Sequence, residues 1–173
     1  MIFTAVFSGV AFAHETKNKI GVVGGLPVGL SYTRTLTQLI DFDLIIGFDL
    51  MRVSIYGRGA FCNVRGAALF KIWSGPLNSI QGTLSLGPAL GFHVGTPYYY
   101  YYYDEYNAAG GFSIGMPVRF ELDFSVSCSI FFELVPIGVE GTFFRYYDAD
   151  RSRRTGSVWG YYLGGGIGVR YRF

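Results

Sequence analysis

From Ser157 to Phe173 the chain reads SVWGYYLGGGIGVRYRF, and large and small residues alternate along it. Odd positions carry Trp159, Tyr161, Leu163, Gly165, Ile167, Val169, Tyr171 and Phe173. Even positions carry Gly160, Tyr162, Gly164, Gly166, Gly168, Arg170 and Arg172. Period two sends successive side chains to opposite faces, so the segment predicts a strand with one apolar face. The same period runs through Phe112, Ile114, Met116, Val118, Phe120, Leu122 and Phe124. It recurs in Ile80, Leu84, Leu86, Leu90, Phe92 and Val94, and in Phe42, Leu44, Ile46, Phe48 and Leu50. Further strands are predicted over Gly59 to Trp73, Cys128 to about Phe144, Lys17 to Val23 and Val28 to Thr35. Gly24 to Pro27 is read as the hairpin turn between the last two, since Gly-Gly tolerates positive φ and Pro27 cannot sit in a central ladder. The count is then eight.

The second face decides what surrounds the sheet. A soluble barrel turns Thr, Lys and Glu outward, whereas here that face holds Gly87, Ala89, Gly91, Gly164, Gly166 and Gly168. Small residues suit a crowded barrel interior, which leaves the apolar face for lipid. Tyr161 to Tyr171 at ~3.3 Å per residue, tilted about 40°, span roughly 25 Å, the height of the apolar band between aromatic girdles. The fold class expected is therefore all-β: an eight-stranded antiparallel up-and-down transmembrane β-barrel. With both ends periplasmic, Gly24 to Pro27, Arg52 to Arg58, Gly95 to Ala109 and Tyr146 to Gly156 become outer loops. Leu36 to Ile40, Ser74 to Ser79 and Ser125 to Ser127 become the short inner turns that such barrels show.

Composition agrees. The 173 residues suit one domain, and 15% are charged, against about 25% in ordinary soluble domains. Mean hydropathy is +0.31, yet no run approaches the ~20 apolar residues of a membrane helix. A net charge of +2 is too small to imply nucleic acid, and no zinc-ligand spacing or phosphate loop implies a metal or cofactor. The apolar start, MIFTAVFSGVAFAHE, ends in the small-x-small pattern Ala11-Phe12-Ala13 of signal cleavage. Residues 1–13 are read as a signal-peptide remnant and 14–173 as an exported barrel domain.

The terminal Phe173, preceded by Tyr171 and Val169 at alternate positions, resembles the assembly signal of bacterial outer-membrane barrels. The chain as a whole resembles the OmpA/OmpX-like eight-stranded barrels. More narrowly it resembles an uncharacterised family of small bacterial barrels, through Pro27-x-Gly29-Leu30-Ser31, Glu133-x-x-Pro136 and Gly168-x-Arg170-Tyr171-x-Phe173. That family has Arg two residues before the strand-six proline, where this chain has Gly115, with its arginine at Arg119. The resemblance implies bacterial outer-membrane localisation, with outer-membrane lipid and the barrel assembly machinery as partners.

On the inward parity fall Lys19, Arg65, Lys71, Arg119, Arg170 and Arg172, against Asp41, Asp43, Asp49, Glu121, Asp123 and Glu133. A buried charge without a partner is costly, so a balanced set is what a filled barrel requires. Glu140 is the exception, on the lipid parity, tolerable only where the seventh strand has left the membrane or a bulge follows Pro136. The short turn at Ser125 to Ser127 predicts a register in which Arg119 faces Glu133 across the ladder, Phe120 faces Phe132 and Leu122 faces Ile130. Glu133→Gln should therefore lower the barrel's stability, and Arg119→Met with Glu133→Leu should recover much of the loss. Cys62 and Cys128, three strands and so roughly 14 Å apart, are beyond the reach of a disulfide.

Two loop clusters are candidate binding surfaces. Thr96 to Asn107, TPYYYYYYDEYN, contains Tyr98, Tyr99, Tyr100, Tyr101, Tyr102, Tyr103 and Tyr106. Tyrosine offers large amphipathic area at low entropic cost, although alternate tyrosines on a continuing hairpin would equally join the girdle. The second cluster holds Arg151, Arg153 and Arg154, suited to anionic groups where it is more than a solvated loop tip. No residue is read as catalytic; His93, inward near the outer end of its strand, would serve a lipid-modifying enzyme. The role expected is structural or adhesive, through outer loops that meet an external host or matrix ligand, with that enzyme or a small channel as alternatives.

Overall fold

The computed structural model of the protein describes residues 18–54, 57–98, 108–124, 127–147 and 152–173. The predicted leader and His14 lie outside them. The described residues form β1 (Asn18–Leu26), β2 (Val28–Thr35), β3 (Ile40–Ser54), β4 (Gly57–Leu77), β5 (Ile80–Leu86), β6 (Ala89–Tyr98), β7 (Ala108–Gly115), β8 (Val118–Asp123), β9 (Cys128–Val135), β10 (Gly138–Tyr147), β11 (Arg153–Tyr161) and β12 (Gly164–Arg172). β5 and β6 are one long strand interrupted at Pro88, β7 and β8 one interrupted at Pro117, and β9 and β10 one interrupted at Pro136. Proline lacks the N–H that a central ladder needs, so each interruption is local and chemical. β11 and β12 part at Tyr162 and Leu163. Eight wall strands result, all antiparallel, and the β1–β12 and β4–β5 pairings close them into a barrel.

A rung followed from Arg172 runs through Lys19, Thr33, Asp43, Ala67, Ala89, Gly115 and Gly138. It returns to the starting strand at Tyr162, whose N–H meets the Gly138 carbonyl at 3.0 Å, ten residues from Arg172. That stagger tilts eight strands about 40° and leaves an interior filled by side chains. The faces follow the predicted parity. Ile20, Val22, Leu30, Ile46, Phe92, Ile114, Phe132, Ile167 and Val169 are exposed on the outside, while Asp43, Arg65, Arg119, Glu133 and Arg170 are buried within. Phe61 and Leu69 join the buried set.

Four details differ from the expected layout. The first turn is reduced to Pro27, because Gly24 and Gly25 are strand residues paired with Ile167 and Gly166. Gly25 has φ +141°, and a Cβ there would collide with the backbone of Gly165 and Gly166. Glycine is required at this position by close approach to β12, and not by a turn. The second difference is β4, which continues to Leu77, so that the turn is only Asn78 and Ser79. The third lies at the loop end, where β3 reaches Ser54, β6 Tyr98 and β10 Tyr147, and the connections shorten accordingly. The fourth concerns Glu140. The β9–β8 rungs and the β10–β7 rungs are offset by one residue, so a bulge at Pro136 and Ile137 reverses the parity of β10. Glu140 then shares a rung with the inward Ser113.

Candidate functional site

Residues from six strands meet at the centre of the interior. Arg119 on β8 faces Glu133 on β9, in the predicted register, and its Nε donates to Glu133 Oε2 at 2.9 Å. The same guanidinium crosses the barrel to β3, where Nη1 and Nη2 donate to the two oxygens of Asp43 at 2.7 and 2.6 Å. Glu133 is shared in turn with Arg65 of β4. Asp43 also accepts from Arg170 Nη2 at 2.8 Å and from the Thr33 hydroxyl at 2.6 Å. Each carboxylate therefore serves two arginines, and the contacts are charge-assisted.

A second tier lies nearer the chain ends. Lys19 Nζ sits 3.0 Å from Glu121 and 3.1 Å from Asp123. The Ser129 hydroxyl donates to Glu121 at 2.6 Å. Arg172 lies 3.7 Å from Asp123 and donates to the Phe124 carbonyl. Lys71 meets Asp41 at 3.0 Å. Asp49 is buried farther toward the loop end.

Sequence reasoning missed the centrepiece. Phe131 is 0% exposed, with the Arg170 guanidinium 3.8 Å and the Arg119 guanidinium 4.7 Å from its ring centroid. One apolar ring thus stacks against two cations, within the range of cation–π attraction. Its space comes from Gly168 across the ladder, where a Cβ would run into the ring. The signal is present in the odd parity of β9, which sends Phe131 inward with Ser129 and Glu133, but an apolar residue there is masked by its apolar neighbours.

Toward the loop end the same device recurs with fewer charges. His93 lies across Gly111, where a side chain would collide with the imidazole, and its Nε2 is 3.0 Å from Thr142 Oγ1. Phe61 meets the His93 ring edge-on at 5.7 Å. Tyr162 covers Gly115 and Gly138 similarly. Outside this region Phe112, Phe143 and Trp159 pack together, with ring centroids 5.4 to 6.3 Å apart.

Most of the loop candidates lie beyond what the structure describes. Tyr99, Tyr100, Tyr101, Tyr102, Tyr103, Tyr106 and Arg151 lie outside the described residues, Tyr98 ends β6, Arg153 opens β11, and Arg154 is exposed. Cys62 and Cys128 are unpaired thiols. Val169, Tyr171 and Phe173 are exposed along the outside of the closing strand. Among the described residues no group of His, Cys, Asp or Glu is arranged to hold a metal ion.

No family model matches the chain, and no curated protein matches it. Among solved structures it is similar to a major outer membrane protein from Thermus thermophilus, at 11% sequence identity and a TM-score of 0.48, over 90% of this chain and 98% of that one.

Proposed function

We propose that the protein is an integral barrel of a bacterial outer membrane, with a structural or adhesive role carried by its loop end. The observation that carries this reading is the inversion of polarity: apolar side chains cover the outside of a closed wall whose inside is packed with ion pairs. Water would reward the opposite arrangement. A closed sheet is one of only two ways for backbone to cross lipid with its polar groups satisfied. The chain ends and the shorter turns then face the periplasm, and the two longest connections face outward, carrying Tyr98 to Tyr103, Tyr106 and Arg151. An aromatic and basic surface of this kind suits an external host or matrix ligand. The packed centre favours a plugged barrel over a channel, and His93, held between Thr142 and Phe61, is assigned a packing role. The barrel assembly machinery is the partner expected to read Val169, Tyr171 and Phe173.

The test is expression with an export signal, followed by membrane fractionation and adherence assays. The protein should co-sediment with the outer membrane, migrate faster on gels unheated than boiled, and lose adherence when Tyr98 to Tyr106 are replaced by a Gly-Ser linker. Recovery in the soluble fraction would overturn the membrane reading; unchanged adherence would overturn the adhesive one.

A further inference from the structure

Near the chain ends the outward face of the barrel carries one charged side chain among those described. β2 brings Leu30, Tyr32 and Arg34 to that face, and Arg34 shares rungs with Asn18 of β1 and Phe42 of β3. Every other described charged side chain in this half of the wall is turned inward and held in an ion pair. Arg34 is exposed instead, and among the described residues it has no ion-pair partner.

The tyrosines beside it set its depth. Tyr32 and Tyr171 flank Ile20 on one rung, and outward tyrosines gather where hydrocarbon gives way to headgroups. Arg34 lies two residues from Tyr32 toward the chain ends, ~7 Å farther along the strand, and β2 ends one residue later at Thr35. In the membrane reading that is the depth of lipid phosphate. At this level an outward charge costs little, which explains why Arg34 is tolerated but not why an amide is held beside it.

The amide is that of Asn18. The Tyr32 hydroxyl donates to Asn18 Oδ1 at 2.8 Å, which occupies the amide oxygen and leaves the two Nδ2–H donors for another acceptor. Residues opposite each other on a rung have Cβ atoms about 5 Å apart, so Asn18 and Arg34 can reach one group together. Amide and guanidinium donors side by side suit the oxygens of a phosphodiester. Acids nearby do not compete for Arg34. Asp41 and Asp43 are buried inside, and the turn from Leu36 to Leu39 carries no charge. The chain just before Asn18 brings one acid and one base, Glu15 and Lys17, which offset each other.

We propose that Arg34 and Asn18 form a seat for the phosphodiester of a glycerophospholipid in the leaflet at the chain ends. The Arg34 guanidinium donates to two phosphate oxygens, Asn18 Nδ2 donates to one of them, and the acyl chains lie along Ile20, Leu30 and Phe42, which are exposed on the same face. A second copy of the chain is disfavoured, because a two-fold contact through this face would bring Arg34 against its own counterpart. The proposal rests on the membrane reading above.

The experiment uses the full chain released in mild detergent, with native mass spectrometry against three lipids of the same acyl chains. These are phosphatidylglycerol, phosphatidylethanolamine and a galactosyl diacylglycerol, which has no phosphate. Both phospholipids should be retained over the galactolipid. Arg34→Gln should weaken their retention about tenfold or more, as loss of a charge-assisted contact requires, and Arg34→Lys should fall between, since it keeps the charge without the fork. Asn18→Asp should weaken retention comparably, because it gives Arg34 a carboxylate on its own rung, while the barrel stays folded by its faster migration on unheated gels. Gln38→Ala, exposed in the adjoining turn, should leave retention unchanged. Equal retention of all three lipids by the wild-type chain, or undiminished phospholipid retention by Arg34→Gln or Asn18→Asp, would overturn the proposal. So would a lipid-free wild-type dimer that Arg34→Gln abolishes. Failure of the membrane reading shows separately, as absence from the outer-membrane fraction, and takes this proposal with it.

Discussion

The half of the barrel near the chain ends and the half near the loops are held by different means. Near the ends all eight strands pair around the wall, and Arg119, Arg170 and Arg65 tie opposite sides together through Asp43 and Glu133. Near the loops six strands continue among the described residues, side-chain bonding inside includes the His93–Thr142 contact, and Phe112, Phe143 and Trp159 pack together outside. A ladder bond joins only neighbours, whereas an arginine spanning the interior joins strands three positions apart. Rigidity should therefore be concentrated at one end, leaving the other free to vary in shape and contacts.

The largest effect should come from the shared carboxylates. Glu133→Gln is expected to destabilise the barrel by about 3–5 kcal/mol, the cost of leaving buried charge underpaired, read from urea unfolding in lipid. Arg119→Met with Glu133→Leu should not recover that loss, contrary to what a simple pair would give, because Arg65 is left without Glu133. Adding Arg65→Met should recover part of it, because Asp43 then keeps Arg170 alone. Recovery by the double variant alone would show that the interior is a set of independent pairs.

Next in size is the ring beneath the arginines. Gly168→Ala places a methyl group against Phe131 and should cost about 1–3 kcal/mol by overpacking, with the same unfolding measurement as readout. An unchanged midpoint would mean that Phe131 is not fixed between its two cations.

At the loop end Thr142→Val should cost only about 1 kcal/mol, the net worth of one hydrogen bond. A loss as large as that of Glu133→Gln would erase the contrast between the halves. The smallest effect is expected for the thiols. Denatured protein should yield two free groups per chain, and a reductant should leave the unfolding midpoint unmoved.

Facing is legible in the sequence because a strand reports it with every residue: parity and one short turn place Arg119 inward, opposite Glu133. Glu140 is readable as an anomaly, and the Pro136 bulge is its physical cause. What parity cannot give is height, since strands are staggered by ten residues around the wall. Asp43 and Arg119 are on distant strands, and only that stagger brings them level. The early end of the β1–β2 hairpin is hidden for a related reason. Gly24 and Gly25 read as a turn, whereas their lack of side chains serves the approach of β12, and the hairpin's true end relative to β11 depends on closure.

The seam between β1 and β12 has a consequence for the order of events during folding. Most neighbouring strands are joined by a short connection and can pair as soon as both exist, but this seam joins Lys19 to Arg172 and must await nearly the whole chain. Arg170, which serves Asp43, arrives on that same last strand. Until then Asp43 lacks one of its two arginines, so closing the wall and completing the charge cluster are a single event. A barrel halted one strand short would carry both an open edge and an Asp43 short of one of its two arginines.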